Sequence, residues 1–245
     1  MNDLIPNNKQ EMIDKLLENL PANVEIEVEL PTKNKVSCKQ DPTKPVTVRP
    51  MNFEDEKAIA SQKGKMDPIN MILSRCATNI NVAELITPDK LFLLIKLREV
   101  SYGENYECEL PCQHCDALTK TTIKLGELPI TYAGDDFCDP SEVFLTGIKK
   151  KIKVRLIKTK DEAYFKDPSM IMNHIWRFVE EIDGVKDKTI ISAVIEKMPS
   201  KDIKKIVNAM RSDLGINTKI AFDCASCQKE SVVELPIGAD FFEES

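Results

Sequence analysis

Four cysteines in two identical spacings are the chemistry this sequence offers most plainly. They are Cys112 and Cys115 in Pro111-Cys112-Gln113-His114-Cys115-Asp116, and Cys224 and Cys227 in Asp223-Cys224-Ala225-Ser226-Cys227-Gln228. Two residues between paired cysteines let both thiolates face one ion from a tight turn, and zinc takes four ligands in a tetrahedron. Cys112, Cys115, Cys224 and Cys227 are therefore expected to form one structural Zn2+ site. Strand-like residues flank each pair, at 104–110 and 118–125 around the first and at 218–222 and 231–235 around the second. That pattern predicts two hairpins with Cys-x-x-Cys tips, the parts of a zinc ribbon. The separation between the pairs is far longer than the common spacing, so a shared ion needs a fold that brings two distant hairpins together. Two other readings stay open. Thiol redox chemistry wants its Cys-x-x-Cys at a helix N-terminus, and both pairs lie between strands. A pair of turns that no longer binds metal leaves the same spacing.

The other reactive residue types give little. Cys108 alternates with Tyr106 and Leu110 on one strand face and is expected to be a buried apolar cysteine. Cys38, Cys76 and Cys138 have no partner at metal spacing. Neither histidine, His114 in the first turn or His174 beside Trp176, sits in a triad-like motif. The pairs Asp55-Glu56 and Asp161-Glu162 fall in expected first helical turns, where the helix dipole favours negative charge. The eight glycines are isolated, so there is no phosphate loop. No catalytic residue, enzyme activity or small-molecule substrate is expected.

Something must carry the two turns, and the sequence repeats itself. Val46-Thr47-Val48-Arg49 is followed six residues after the arginine by Asp55; Ile152-Lys153-Val154-Arg155 is followed at the same distance by Asp161. Gly103 and Gly215, Cys112 and Cys224, and Cys115 and Cys227 are separated by one and the same interval along the chain. Proline-started helices over 88–102 and 199–214 are expected to end at Gly103 and Gly215, each glycine supplying the left-handed cap. Thr159 with Glu162 spells a capping box, and Asn52 with Asp55 a weaker one. Asp67-Pro68 and Asp167-Pro168 each open a further helix. The fold class is thus α+β, two degenerate repeats of strand, helices and β-hairpin. The expected units are 1–39 (helix and entry strand), 40–128 (first repeat) and 129–245 (second repeat). Met12, Leu16, Leu17 and Leu20 suggest an amphipathic helix outside the repeats.

Composition narrows the class. The net charge of −6 disfavours broad nucleic-acid binding, which rests on neutralising phosphates. Lys149-Lys150-Lys151 is expected to be a solvated strand end. No run approaches the roughly 18 apolar residues that span a membrane, and the first residues lack the basic and apolar regions of a secretory signal. A reducing compartment follows, in which close cysteine pairs favour metal over disulfide.

Several stretches resemble a known family. They are Leu30-Pro31-Thr32, Val46-Thr47-Val48-Arg49-Pro50-Met51, Asp55-Glu56-Lys57 and Leu97-Arg98-Glu99-Val100-Ser101-Tyr102-Gly103, followed by the Cys-x-x-Cys turns. From about residue 30 the chain resembles the baseplate hub subunits of T-even-type contractile phage tails. The resemblance implies a structural or assembly protein, contacting other hub and tail proteins in the virion baseplate or in the host cytoplasm during assembly. The alternative is a zinc-ribbon nucleic-acid-binding or transcription-associated module, although Glu104, Glu107, Glu109, Asp116, Asp223 and Glu230 flank the turns. Arg98 and Tyr102, in the most specific stretch, are the candidates for a partner surface. The plainer reading is that Arg98 holds carbonyls ending a neighbouring element while Gly103 turns the chain at positive φ.

Overall fold

The strands pair in small sheets of two or three members each. The structure, a computed structural model, describes residues 25–36, 38–61, 67–164, 170–237 and 239–242, with helical positions at 9, 11–13, 15 and 16. Of the expected N-terminal amphipathic helix, Met12 and Leu16 are helical and exposed, while Leu17 and Leu20 lie outside the described residues. Strands β1 (Ile26–Val28), β2 (Val46–Val48) and β3 (Ala77–Thr78) form one antiparallel sheet. Helices α1 (Phe53–Ser61) and α2 (Pro68–Cys76) lie between β2 and β3 in sequence. Asp67 caps α2 by accepting the Ile69 N–H, and Pro68 fills the first turn, where its missing donor costs nothing.

Helix α3 (Thr87–Tyr102) is the axis of the larger core. Phe92, Leu93, Leu94, Ile95 and Leu97 are all buried, and so are Asp89, Lys90 and Arg98, so the helix is enclosed on most of its sides. It stops at Gly103, whose φ of 89° is the left-handed conformation the sequence predicts. The chain then enters the hairpin β4 (Asn105–Pro111) and β5 (Leu118–Lys124). The short strand β6 (Ile130–Thr131) follows, then a second sheet of β7 (Ser141–Leu145), β8 (Lys150–Val154) and β9 (Val179–Ile182). Helices α4 (Met170–His174), α5 (Lys188–Glu196) and α6 (Ser200–Ala209) accompany that sheet. Strand β10 (Gly215–Ile216) pairs back to β6, and the chain closes with the hairpin β11 (Lys219–Asp223) and β12 (Glu230–Glu234). The result is a mixed α and β fold of several small sheets. Among the described residues, no helix is long and apolar enough to cross a membrane.

Burial follows a different line from chain order. Leu145, Ile152, Val154, Phe178, Ile195 and Met210 belong to one core. Ile216, Leu235, Phe241 and Phe242, which come later in the chain, join Val48, Leu93, Tyr106 and Leu110 in the other.

Two local expectations change. Helix α6 ends at Ala209 and does not run to Leu214. Ser212 and Asp213 are poor helix formers that bond locally, and the Ser212 hydroxyl accepts the Leu214 N–H. Gly215 therefore caps no helix; its φ of 95° starts β10, and a Cβ there would lie 3.0 Å from Pro88. The capping boxes also exchange rank. Asn52 and Asp55 bond reciprocally, Asp55 N–H to Asn52 Oδ1 at 3.1 Å and Asn52 N–H to Asp55 Oδ2 at 3.0 Å. Thr159 instead donates its hydroxyl to the Leu85 carbonyl, at the head of a 3₁₀ turn over Thr159–Tyr164. Asp167-Pro168 lies outside the described residues.

The aspartates of the repeated pattern do more than complement a dipole. Arg49 forks onto Asp55 (2.7 and 3.1 Å), and its own N–H donates to the Cys76 carbonyl. Arg155 forks onto Asp161 (2.6 and 2.9 Å), and its N–H donates to the Phe178 carbonyl. Asp55 is fully buried; burial alone would raise its pKa, but Arg49, the Asn52 N–H and Arg75 hold it well below the usual carboxylate range. The lysine run is solvated as expected: Lys150 pairs with Asp183, Lys151 with Glu142 and Lys153 with Glu181.

Candidate metal centre

Each cysteine turn is held by its own hairpin. The ladder of β4 and β5 closes at Pro111 opposite Leu118, and that of β11 and β12 at Asp223 opposite Glu230. The two loops between these closing pairs are equally long, and they fold alike. Cys112 N–H donates to the Ala117 carbonyl and Asp116 N–H to the Cys112 carbonyl, both at 3.0 Å. Cys224 N–H donates to Lys229 and Gln228 N–H to Cys224, at 3.0 and 2.9 Å. Asp116 and Gln228 take left-handed φ values of 57° and 56°, which turn both sulfurs of each pair to one side.

The hairpin tips meet. Cys112 Sγ lies 3.6 Å from Cys227 Sγ, and Cys115 Sγ lies 3.7 Å from Cys224 Sγ. All four sulfurs lie within 4.8 Å of one another. Zinc–sulfur bonds of about 2.3 Å set tetrahedral S···S edges of about 3.8 Å, so donor set and spacing fit one tetrahedral ion. A disulfide needs about 2.05 Å, and all the cysteines are free.

The contacts around the sulfurs exchange between hairpins. Gln113 N–H donates to Ser231 Oγ at 3.3 Å, and Ala225 N–H donates to Thr119 Oγ1 at 3.2 Å. Gln113 and Ala225, like Thr119 and Ser231, are separated by the same interval as the cysteine pairs. The local arrangement thus has an approximate two-fold axis between the turns, the self-complementary geometry of an isologous contact. Cys112 and Cys224, the first of each pair, are buried, whereas Cys115 is exposed and Cys227 half-buried. Gln113 Nε2 also donates to the Val232 carbonyl at 2.7 Å, and His114 Nε2 lies 3.1 Å from the Glu230 carbonyl. His114 therefore braces the second hairpin.

The electrostatics are those of thiols sharing too little positive charge. The Ser231 hydroxyl and the His114 N–H hold Cys112 down to about 6, and the backbone N–H groups of Cys227 and Ser226 lower Cys224. The Ala117 backbone favours the Cys115 thiolate, but its sulfur neighbours Cys227, Cys224 and Cys112 push it up to about 12. A divalent ion at the centre removes this conflict, because a coordinating thiol is deprotonated outright.

A model of the T4 bacteriophage base plate protein family matches residues 23–243. The chain belongs to that family. No curated protein and no solved structure matches it. Both cysteine turns of this base plate protein fall within the matched span, and residues 1–22 lie outside it.

The remaining candidates of this base plate protein differ in exposure. Arg98 is only 2% exposed. Its guanidinium lies over the rings of Tyr102 (4.8 Å) and Tyr106 (5.6 Å) and donates to the Gly103 carbonyl at 3.4 Å. Tyr102 is half-buried and bonds Glu56 at 3.3 Å. Cys108 is half-buried; Cys38 and Cys76 are buried and Cys138 is exposed. Burial pushes Cys38 up to about 11, and burial with the Asp55 charge pushes Cys76 up to about 12, which makes both poor nucleophiles. Sequence reasoning missed Ser231 and Thr119; their matching places on the returning strands, in register with the cysteine repeat, were the available signal.

Proposed function

We propose that this chain is a non-enzymatic structural or assembly protein of the phage baseplate hub, working through contacts with other hub and tail proteins, and stapled by one zinc ion on Cys112, Cys115, Cys224 and Cys227. The observation that carries the zinc reading is the four sulfurs within 4.8 Å at the tips of hairpins far apart in sequence. Zinc supplies a fixed four-thiolate junction when bound. The chain's own residues do the rest: Ser231 and Thr119 orient the turns, and the hairpin roots stay seated in the larger core. We also read the chain as a degenerate duplication, with units 40–128 and 129–245 after residues 1–39; the exchanged hydrogen bonds and the matching Arg49–Asp55 and Arg155–Asp161 forks support that history. Its place of action is the virion tail baseplate, or the host cytoplasm while the baseplate is built. The partner surface at the end of α3 is read as Arg98 with Tyr102, of which Tyr102 is the more exposed.

The test is complementation. Phage lacking the gene are supplied with wild-type protein or Cys224→Ser, metal content is measured, and baseplates are counted by electron microscopy with tail composition by mass spectrometry. One zinc per wild-type chain and incomplete baseplates without the protein are expected. Complete tails in its absence would sink the assembly role, and a folded wild-type chain purified without metal would sink the staple.

A further inference from the structure

Arg75 and Arg177 stand at matching positions. Each directly precedes the residue whose carbonyl accepts the N–H of the strand-ending arginine, Cys76 for Arg49 and Phe178 for Arg155. Arg75 reaches Asp55 at 2.7 Å and gives that carboxylate a second guanidinium. Arg177 does something else. Its guanidinium lies 4.2 Å from the centroid of the Tyr164 ring and 4.5 Å from that of Trp176, with Nε 3.5 Å from His174 Nδ1. Among the described residues it pairs with no carboxylate, and Asp161 is served by Arg155 and the Lys158 N–H. The corresponding positions in the first half hold Ala58 and Ser74, so both rings belong to the second half alone.

Tyr164, Trp176 and Arg177 are half-buried and line a groove of about 400 Å³. The other side of Trp176 faces a second groove of about 430 Å³ along α5. Four cations line the first groove, Arg155, Lys160, Arg177 and Lys188, against two carboxylates, in a chain whose net charge is −6. Both carboxylates are engaged: Asp161 holds Arg155, and Glu180 holds Arg155 and Lys188 at 3.2 Å each. A guanidinium stacked on aromatic rings is pre-organised to fork onto a carboxylate, and tryptophan, tyrosine and arginine are the residues that dominate binding hot spots.

We propose that this groove docks a partner protein through an acidic segment, one carboxylate seated on Arg177 between the Tyr164 and Trp176 rings. Nucleic acid fits less well: a phosphate backbone needs a row of free cations, and the lysines and the other arginine here already have acidic partners. This assignment is independent of the metal centre, and its failure leaves the zinc test unchanged.

Trp176 is the sole tryptophan, so its fluorescence reports on the groove without a label. The full chain is titrated with an acetylated hexaglutamate peptide, a hexalysine peptide and a short oligothymidylate at near-physiological ionic strength. A saturable response to hexaglutamate alone is expected, weakened about tenfold or more in Arg177→Gln because a charge-assisted bond is lost. Arg177→Lys, which keeps the charge but not the fork, is expected to fall between the two and guards against a misfolded Gln variant. Equal hexaglutamate binding by wild type and both variants, no saturable response, or tighter binding of oligothymidylate would each overturn the assignment.

Discussion

Replacing Cys224 with serine removes one sulfur from a four-sulfur junction, and the cost can be estimated from what the junction holds in place. Apart from the contacts of the sulfurs themselves, four hydrogen bonds cross between the hairpin tips: Gln113 N–H to Ser231, Gln113 Nε2 to Val232, His114 to Glu230, and Ala225 N–H to Thr119. At about 1 kcal/mol each they are worth about 4 kcal/mol. The hairpin roots survive, because Tyr106, Leu110, Ile123 and Leu235 remain in the larger core. Local opening without global collapse is therefore expected. A chain of this size loses roughly 2–4 °C of melting temperature per kcal/mol, so Cys224→Ser should melt about 8–16 °C lower. Differential scanning calorimetry near neutral pH, with and without a zinc chelator, measures this. Chelated wild type should fall to the level of Cys224→Ser, and the chelator should leave the variant unchanged. Cys112→Ser with Cys224→Ser should cost little more than either alone, since one missing ligand already opens the site. Additive losses in the double variant would refute a shared ion, as would a chelator-insensitive wild type.

Asp89 is buried on α3, where desolvation outweighs the Thr32 hydroxyl and N–H and raises its pKa to about 6. The folded state therefore holds its proton more tightly than the unfolded chain, and this group's contribution is present below about 4 and lost as pH rises through about 6. Asp89→Asn should then stabilise by up to about 3 kcal/mol above pH 7 and by much less near pH 4; equal urea midpoint shifts at both would contradict the burial argument. Arg98→Ala should cost about 3 kcal/mol, since a large buried side chain leaves a cavity, while Tyr102→Phe should stay within about 0.5 kcal/mol; a thermally unchanged Arg98→Ala would contradict the packing role. Asp161→Ala should lose about 1.5–3 kcal/mol, because Arg155 loses its two-bond fork but keeps Glu180, whereas His114→Ala should lose about 1 kcal/mol and still support baseplate assembly in a plaque assay.

The cysteine cluster was legible because metal ligands leave a chemical signature and a countable spacing. The shared interval between the halves also carried the likeness of the two turns, down to their left-handed residues. Helix α3 was legible from its proline start and glycine stop. Its burial on most sides was not, because the sequence reads as an amphipathic stripe and only packing shows that Arg98 lies under Tyr102. The aspartates at 55 and 161 fit a helix dipole by position alone, but each stands six residues from an arginine in a repeated pattern, and that repetition is the sign of an ion pair. The expected helix over 199–214 exceeds α6 because Gly215 shares the repeat position of Gly103 yet answers a close approach to Pro88. Two-residue strands such as β6 and β10 have no periodicity to detect, and their pairing across the chain is a tertiary fact.

The seating of Phe241 against Tyr106 has a consequence in time. Their rings meet edge to face at 4.9 Å, and the Tyr106 hydroxyl donates to the Pro236 carbonyl across 130 residues of sequence. Synthesis delivers residues in order at roughly 5–20 per second. All members of the smaller core, up to Met210, are therefore made before the larger one has its aromatic seal. For a few seconds at that pace, a nascent chain carries every member of the smaller core beside a larger core whose central helix lacks its last neighbours. Cys112 and Cys115 wait longer, from their own synthesis until Cys224 and Cys227 follow.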